Sequence, residues 1–155
     1  MHDRILVING TATDEEVNEK AMAHSDCIDY TRGLNISVRD WLETNESWLN
    51  SYGIRLDITN KNLLIDVYTV LNIIYEQMKQ TLETFVRCAD AKTGIFDKII
   101  TLKSVCMEEG FDRLGTLFFN AENGKIYTLR ELLLNMRNRG ETLTLNVTRI
   151  YDYHF

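Results

Sequence analysis

His24 and Cys27 stand three residues apart in a stretch that reads as helical, with Asp26 between them, and that spacing could turn an imidazole and a thiolate to one side as two metal ligands. A closed site needs four. His2 and His154 lie close to the termini, and Cys88 and Cys106 fall on other apolar faces, so no second pair completes the shell and neither metal nor other cofactor is expected. Paired carboxylates come next, because two acids in one site have their pKa values driven apart. Asp26 with Asp29 and Glu108 with Glu109 are the densest pairs, yet 23 acidic side chains in 155 residues bring some together by chance. The phosphate-cradling patterns GxxxxGKS/T and GxGxxG, the nucleophile elbow GxSxG and the zinc motif HExxH are all missing from the sequence. Three histidines leave few general bases near neutral pH, so no catalytic residue is assigned and the reading leans away from an enzyme.

Apolar side chains with a regular spacing give the stronger signal. After Asn60 they recur by threes and fours at Leu64, Val67, Leu71, Ile74, Met78, Leu82, Phe85 and Ala89, the seam pattern of one helix laid against another. Met78, Leu82 and Phe85 belong to a half of that segment with a single apolar stripe, where Glu76, Lys79, Glu83 and Arg87 turn outward. This stripe is expected either to pair with a second copy or to receive the following helix of the same chain. The last five residues hold Tyr151, Tyr153 and Phe155, aromatics of the kind favoured at interfaces, which read either as a docking peptide or as the end of a strand packed on its own core. These six side chains are the candidate interaction residues.

The elements that must position them follow from periodicity and capping. Arg4–Ile8 reads as a buried strand closed by Asn9-Gly10. Thr13 and Glu16 make a capping box for a helix expected from Asp14 to Tyr30, ended by Gly33. Ser37 caps a second helix that places Trp41 and Trp48 on one side and stops at Gly53. Ile54, Leu56 and Ile58 alternate as a short strand. A long central helix is expected from about Asn60 to Gly94, about 45 Å in length, its first half surrounded by protein because Leu63, Ile65, Val70 and Ile73 add apolar groups on other sides. A helix over 95–109 should fold back on it. Leu114–Phe119 and Lys125–Thr128 flank an Asn-Gly hairpin loop, Thr128 with Glu131 caps a short helix, and Leu143, Leu145 and Val147 alternate in a final strand.

Strands at both ends and helices in the middle make an α+β fold, a small mixed or antiparallel sheet packed against a helical middle, in a single domain over 1–155. With 45% hydrophobic and 26% charged residues the chain can bury a sizeable core unaided. It has no proline, so no slow prolyl isomerisation enters its folding. Three widely spaced cysteines and no apolar run long enough for a leader or a membrane span point to the cytoplasm, where the four Asn-x-Ser/Thr sequons are chance matches.

Residues 1–60 carry eleven acidic and five basic side chains, a net −6, whereas residues 61–155 carry twelve of each. That balance disfavours nucleic acid and leaves room for a basic protein partner. The leading expectation is therefore a non-enzymatic interaction, assembly or adaptor protein that forms a homo-oligomer or joins a larger complex. The alternatives are an acidic inhibitor of viral or mobile-element type that blocks a basic site on a nucleic-acid-binding protein, and a small enzyme or ligand-binding protein whose pocket holds His24 or a perturbed carboxylate.

Overall fold

Ile5, Leu6, Val7 and Ile8 form an unbroken apolar run, and a strand can bury such a run only if protein covers both faces of its sheet. In the computed structural model, which describes residues 2–90, 116–136 and 142–154, this run is the heart of β1 (His2–Ile8). Strand β1 pairs antiparallel with β7 (Thr142–His154) on one side and parallel with β5 (Leu117–Asn120) on the other. The seven-stranded mixed sheet has the order β3-β4-β7-β1-β5-β6, with β2 (Tyr30–Gly33) also on β7. Strands β3 (Ile54–Asp57), β4 (Asn62–Asp66) and β6 (Lys125–Tyr127) complete it. The fold is α+β.

Alternation along β1 divides the core in two. Ile5 and Val7 face α1 (Asp14–His24), where Val17 and Ala21 pack with Ile28, Leu117, Phe119, Tyr151 and Tyr153. Leu6 and Ile8 face the other helical layer, made by α2 (Val38–Ser51), the first turn of α3 (Val67–Asp90) and α4 (Leu129–Met136). The N-terminal caps expected at Thr13, Ser37 and Thr128 are present. Glu16 N–H and Glu131 N–H donate to Thr13 Oγ1 and Thr128 Oγ1, while the two glutamates accept from the backbone N–H of Thr13 and Thr128. Gly53, with φ +78°, ends α2 and leaves room for α3, since a Cβ there would stand 3.0 Å from Ile73 Cδ1 and 3.1 Å from Thr69 Cγ2.

Two expected helices are shorter than their apolar spacing implies. Helix α1 stops at His24 and not at Tyr30, because Thr31 and its neighbours complete a sheet: β2 pairs Tyr30 with His154 and Gly33 with Tyr151, and Asn18 Oδ1 accepts from Thr31 N–H. The long helix begins at Val67 and not near Asn60, so the expected central rod is not formed as drawn. Asn62–Asp66 is instead strand β4, inserted between β3 and β7 with Leu63 and Ile65 fully buried. A tight turn makes this possible, with Asn60 N–H donating to Asp57 Oδ1 and Lys61 in the left-handed region at φ +56°. Asp66 then starts α3 by accepting Thr69 N–H at 2.7 Å, a bond that also holds its carboxyl below the usual carboxylate range.

Once Leu63 and Ile65 are assigned to the sheet, α3 is amphipathic rather than apolar all round. Val67 and Val70 are buried, but Tyr68, Leu71 and Tyr75 are exposed, so its first half is not surrounded by protein. The helix expected over 95–109 and the start of the strand at Leu114 lie outside the described residues.

Candidate functional site

His24 and Cys27 do not share a helical face, because the helix ends at His24 and Cys27 lies in the following turn. Among the described residues no three histidine, cysteine, aspartate or glutamate side chains come together as a metal cluster. Asp29, one of the paired acids, lies 3.1 Å from His154 Nδ1 at the exposed end of β7, where the imidazole stacks on Tyr30 with ring centroids 5.7 Å apart. Glu108 and Glu109 lie outside the described residues.

The aromatic tail is part of the sheet. Tyr151 and Tyr153 are buried against α1 and pair with Ile5 and Asp3 of β1, so they serve the core of their own chain and not a docking peptide. Alternation explains the placement: both point to one side of β7, together with Ile5 and Val7. The Tyr151 hydroxyl donates to Asp14 Oδ1 at 2.6 Å, and Arg149 reaches the same carboxylate at 3.0 Å while its guanidinium lies 5.1 Å from the Tyr151 ring centroid. Burial and the bond to Asp14 push the phenol up to about 12. This cluster ties the start of α1 to the sheet, and its members, 137 residues apart in the chain, were not paired by any local pattern. Phe155 lies outside the described residues.

Helix α3 carries the remaining candidates. Tyr68, Leu71, Tyr75, Leu82 and Val86 are exposed by 41% to 63% and succeed one another at spacings of three, four, seven and four. Met78 and Phe85 belong to the same helix, and their side chains lie outside the described residues. Val67 and Val70, in the first turn, are buried in the core, and the exposed row is a separate one. Tyr68 and Tyr75 were not among the sequence candidates. The signal that could have found them is the strict seven-residue repeat Tyr68, Tyr75, Leu82, which the apolar residues of β4 obscured.

A second feature lies on the other side of α2. A cleft of about 640 Å³, open to solvent, has Trp41 and Trp48 on one wall. Its lining also includes Leu34, Asn35 and Ile36 of the loop before α2, Asn45 of α2, and Asp3 and Arg4 of β1. The lining includes neither His24 nor the acids of α1. Arg4 is paired with Asp152 and donates to Asp3 O at 3.1 Å.

The acidic side chains of the first 60 residues do not gather on one surface. Asp14, Glu15, Glu16 and Glu19 lie exposed on α1 over one face of the sheet, whereas Asp40, Glu43 and Glu46 lie exposed on α2 over the other. No helix among the described residues is long and apolar enough to cross a membrane. Comparisons with protein families, with curated proteins and with solved structures find no match.

Proposed function

We propose that this protein is a non-enzymatic assembly component that associates with a second copy of itself through the outward row of α3, as part of a larger cytoplasmic protein complex. The observation that carries the reading is that Tyr68, Leu71, Tyr75 and Leu82 form one exposed row along a 24-residue helix. Helices pair when large apolar groups recur every three and four residues, and about 36 Å of helix spans three such heptads. Single exposed apolar residues are ordinary, but a contiguous row is costly to leave in water and marks an interaction surface. The polar residues that flank the row, among them Asn72, Glu76, Lys79 and Glu83, carry both signs of charge, and Lys79 lies 3.9 Å from Glu76 within the same helix.

Sedimentation and light scattering over a range of concentrations test this. The parent chain is expected to be a dimer or larger, and Leu71→Glu or Leu82→Glu should return it to monomer with an unchanged circular dichroism spectrum, since neither residue belongs to the buried core. A parent chain that is monomeric at every concentration overturns the proposal, as does an oligomer that survives both substitutions.

A further inference from the structure

The chain contains two Asn-Gly steps, Asn9-Gly10 after β1 and Asn123-Gly124 in the hairpin between β5 and β6, and they differ in what holds them. This dipeptide has its own chemistry in water. The backbone nitrogen of the glycine, shielded by no Cβ, loses its proton and attacks the carboxamide carbon of the asparagine. The new C–N bond closes a succinimide ring, the old carboxamide C–N bond breaks, and the departing nitrogen takes up a proton and leaves as ammonia. Water then opens the ring at one carbonyl or the other and gives aspartate or isoaspartate. Water is thus the single co-reactant, and nothing is oxidised or reduced. The carboxamide must first swing onto the glycine nitrogen, which a folded chain permits only where the hydrogen bonds that hold these groups can open.

At the first step those bonds run into the middle of the sheet. Asn9 N–H donates to Asn146 O at 2.9 Å and the Asn9 side-chain oxygen accepts Asn146 N–H at 3.3 Å, both from a residue 137 positions away. Thr148 Oγ1 donates to Gly10 O, and Ala121 N–H donates to Ile8 O at 3.0 Å. Freeing Asn9 therefore means parting β1 from β7, whose neighbouring Ile8 and Val147 are fully buried, and that amounts to unfolding the domain. At the second step the described bonds are all local. Gly124 N–H donates to Asn120 O at 2.9 Å, the Asn123 side-chain oxygen accepts Lys125 N–H at 3.1 Å, and its side-chain N–H donates to the Tyr127 hydroxyl at 2.9 Å. Asn123 is exposed, a Cβ at Gly124 would meet nothing within 4 Å, and β6 is a three-residue strand at the end of the sheet order. Such a hairpin opens without disturbing the core. We propose that Asn123 is a site of spontaneous deamidation in the folded protein, whereas Asn9 is protected until the chain unfolds. Isoaspartate routes the main chain through the former side chain and so adds a carbon to the loop that sets the pairing of Phe118 with Tyr127 and of Asn120 with Lys125, which loosens β6. The site shares no residue with α3, so it stands whether or not the chain self-associates.

The full-length protein is incubated in mildly alkaline buffer, with and without denaturing urea, and both asparagines are followed by peptide mapping with mass spectrometry, using fragmentation that separates aspartate from isoaspartate. In the folded protein Asn123 should convert at least about ten-fold faster than Asn9, the gap between a local opening and a global one. In urea the two rates should come together, because each step then consists of an unrestrained asparagine and a bare glycine. Tyr127→Phe removes the hydroxyl that accepts from Asn123 and should speed the folded-state conversion by about two- to ten-fold, the worth of one hydrogen bond. Asn123→Gln lengthens the side chain, disfavours the ring closure and should abolish the product at this position. Asn9 converting as fast as Asn123 in the folded protein would overturn the proposal. So would a difference between them that persists in urea, which would assign it to neighbouring sequence, an unaltered rate in Tyr127→Phe, or a folded Asn123 that stays intact while the urea sample converts fully.

Discussion

Tyr151 shows how little a single side chain reveals about its own partners. Its phenol is a polar handle on a large apolar body, equally suited to an interface and to a core with one satisfied hydroxyl. The alternation of Tyr151 with Tyr153 was legible and correctly placed them on one side of a strand, but the partner that fixes the hydroxyl, Asp14, lies at the opposite end of the chain. The pKa sign follows from that environment. The folded phenol titrates near 12 and the unfolded one near its ordinary value of 10, so the folded state holds its proton more tightly. The resulting stability is fully present below pH 10 and is lost as pH rises through 12. In a spectrophotometric titration, Tyr151 should therefore ionise well above its ordinary value of 10 and together with unfolding. Tyr151→Phe should remove that late step and destabilise the fold at neutral pH by about 1.5 to 3 kcal/mol, the worth of a hydrogen bond to a charged group. An early, freely titrating Tyr151 would mean that the contact with Asp14 is not formed.

Among elements, β4 and α3 mark where periodicity stops being decisive. Leu63, Leu64 and Ile65 fit either the start of a multi-faced helix or a strand with its inner face buried, because a short apolar run carries no unique period. What settles the matter is tertiary. Strand β4 fills the place between β3 and β7, and the Asp57–Lys61 turn and the Asp66 cap fix its two ends. The caps at Thr13, Ser37 and Thr128 were legible because their bonds close within three residues, and so was the hairpin at Gly124. The two assignments of 62–66 differ in a measurable way. A helical stripe would make Leu64 the inward residue, whereas the strand buries Leu63 and Ile65 and leaves Leu64 half-buried. Leu63→Ala should cost about 2 to 5 kcal/mol in urea unfolding and Leu64→Ala distinctly less. The reverse order would restore the helical reading.

At the scale of the whole molecule, β7 is the strand on which the sheet depends. Its first five residues pair with β4 and its last four with β2, while β1 pairs from Val147 to His154, so one 13-residue element joins residues as far apart as His2 and His154. The α+β class was legible from the order of elements, yet the parallel β1–β5 pair and the position of β7 between β1 and β4 were not, because nothing in local sequence encodes which strands become neighbours. Such long-range pairing implies slow folding, since the loops must close before the contacts reward them. It also means that the last residues cannot be an appendage. A chain shortened to end at Ile150 loses Tyr151 and Tyr153 from the core beneath α1, frees β2 from its partner and strips the first four residues of β1 of their antiparallel neighbour. Two buried tyrosines removed together exceed the margin by which a domain of this size is stable, about 5 to 15 kcal/mol at most, once the lost strand pairing is added. The shortened chain should therefore show no cooperative thermal transition and a collapsed spread of amide resonances, whereas the α3 substitutions, expected to dissociate the proposed oligomer, should leave both intact. A shortened chain that folds but no longer associates would reverse the assignment, making the aromatic tail the contact between copies and α3 a bystander.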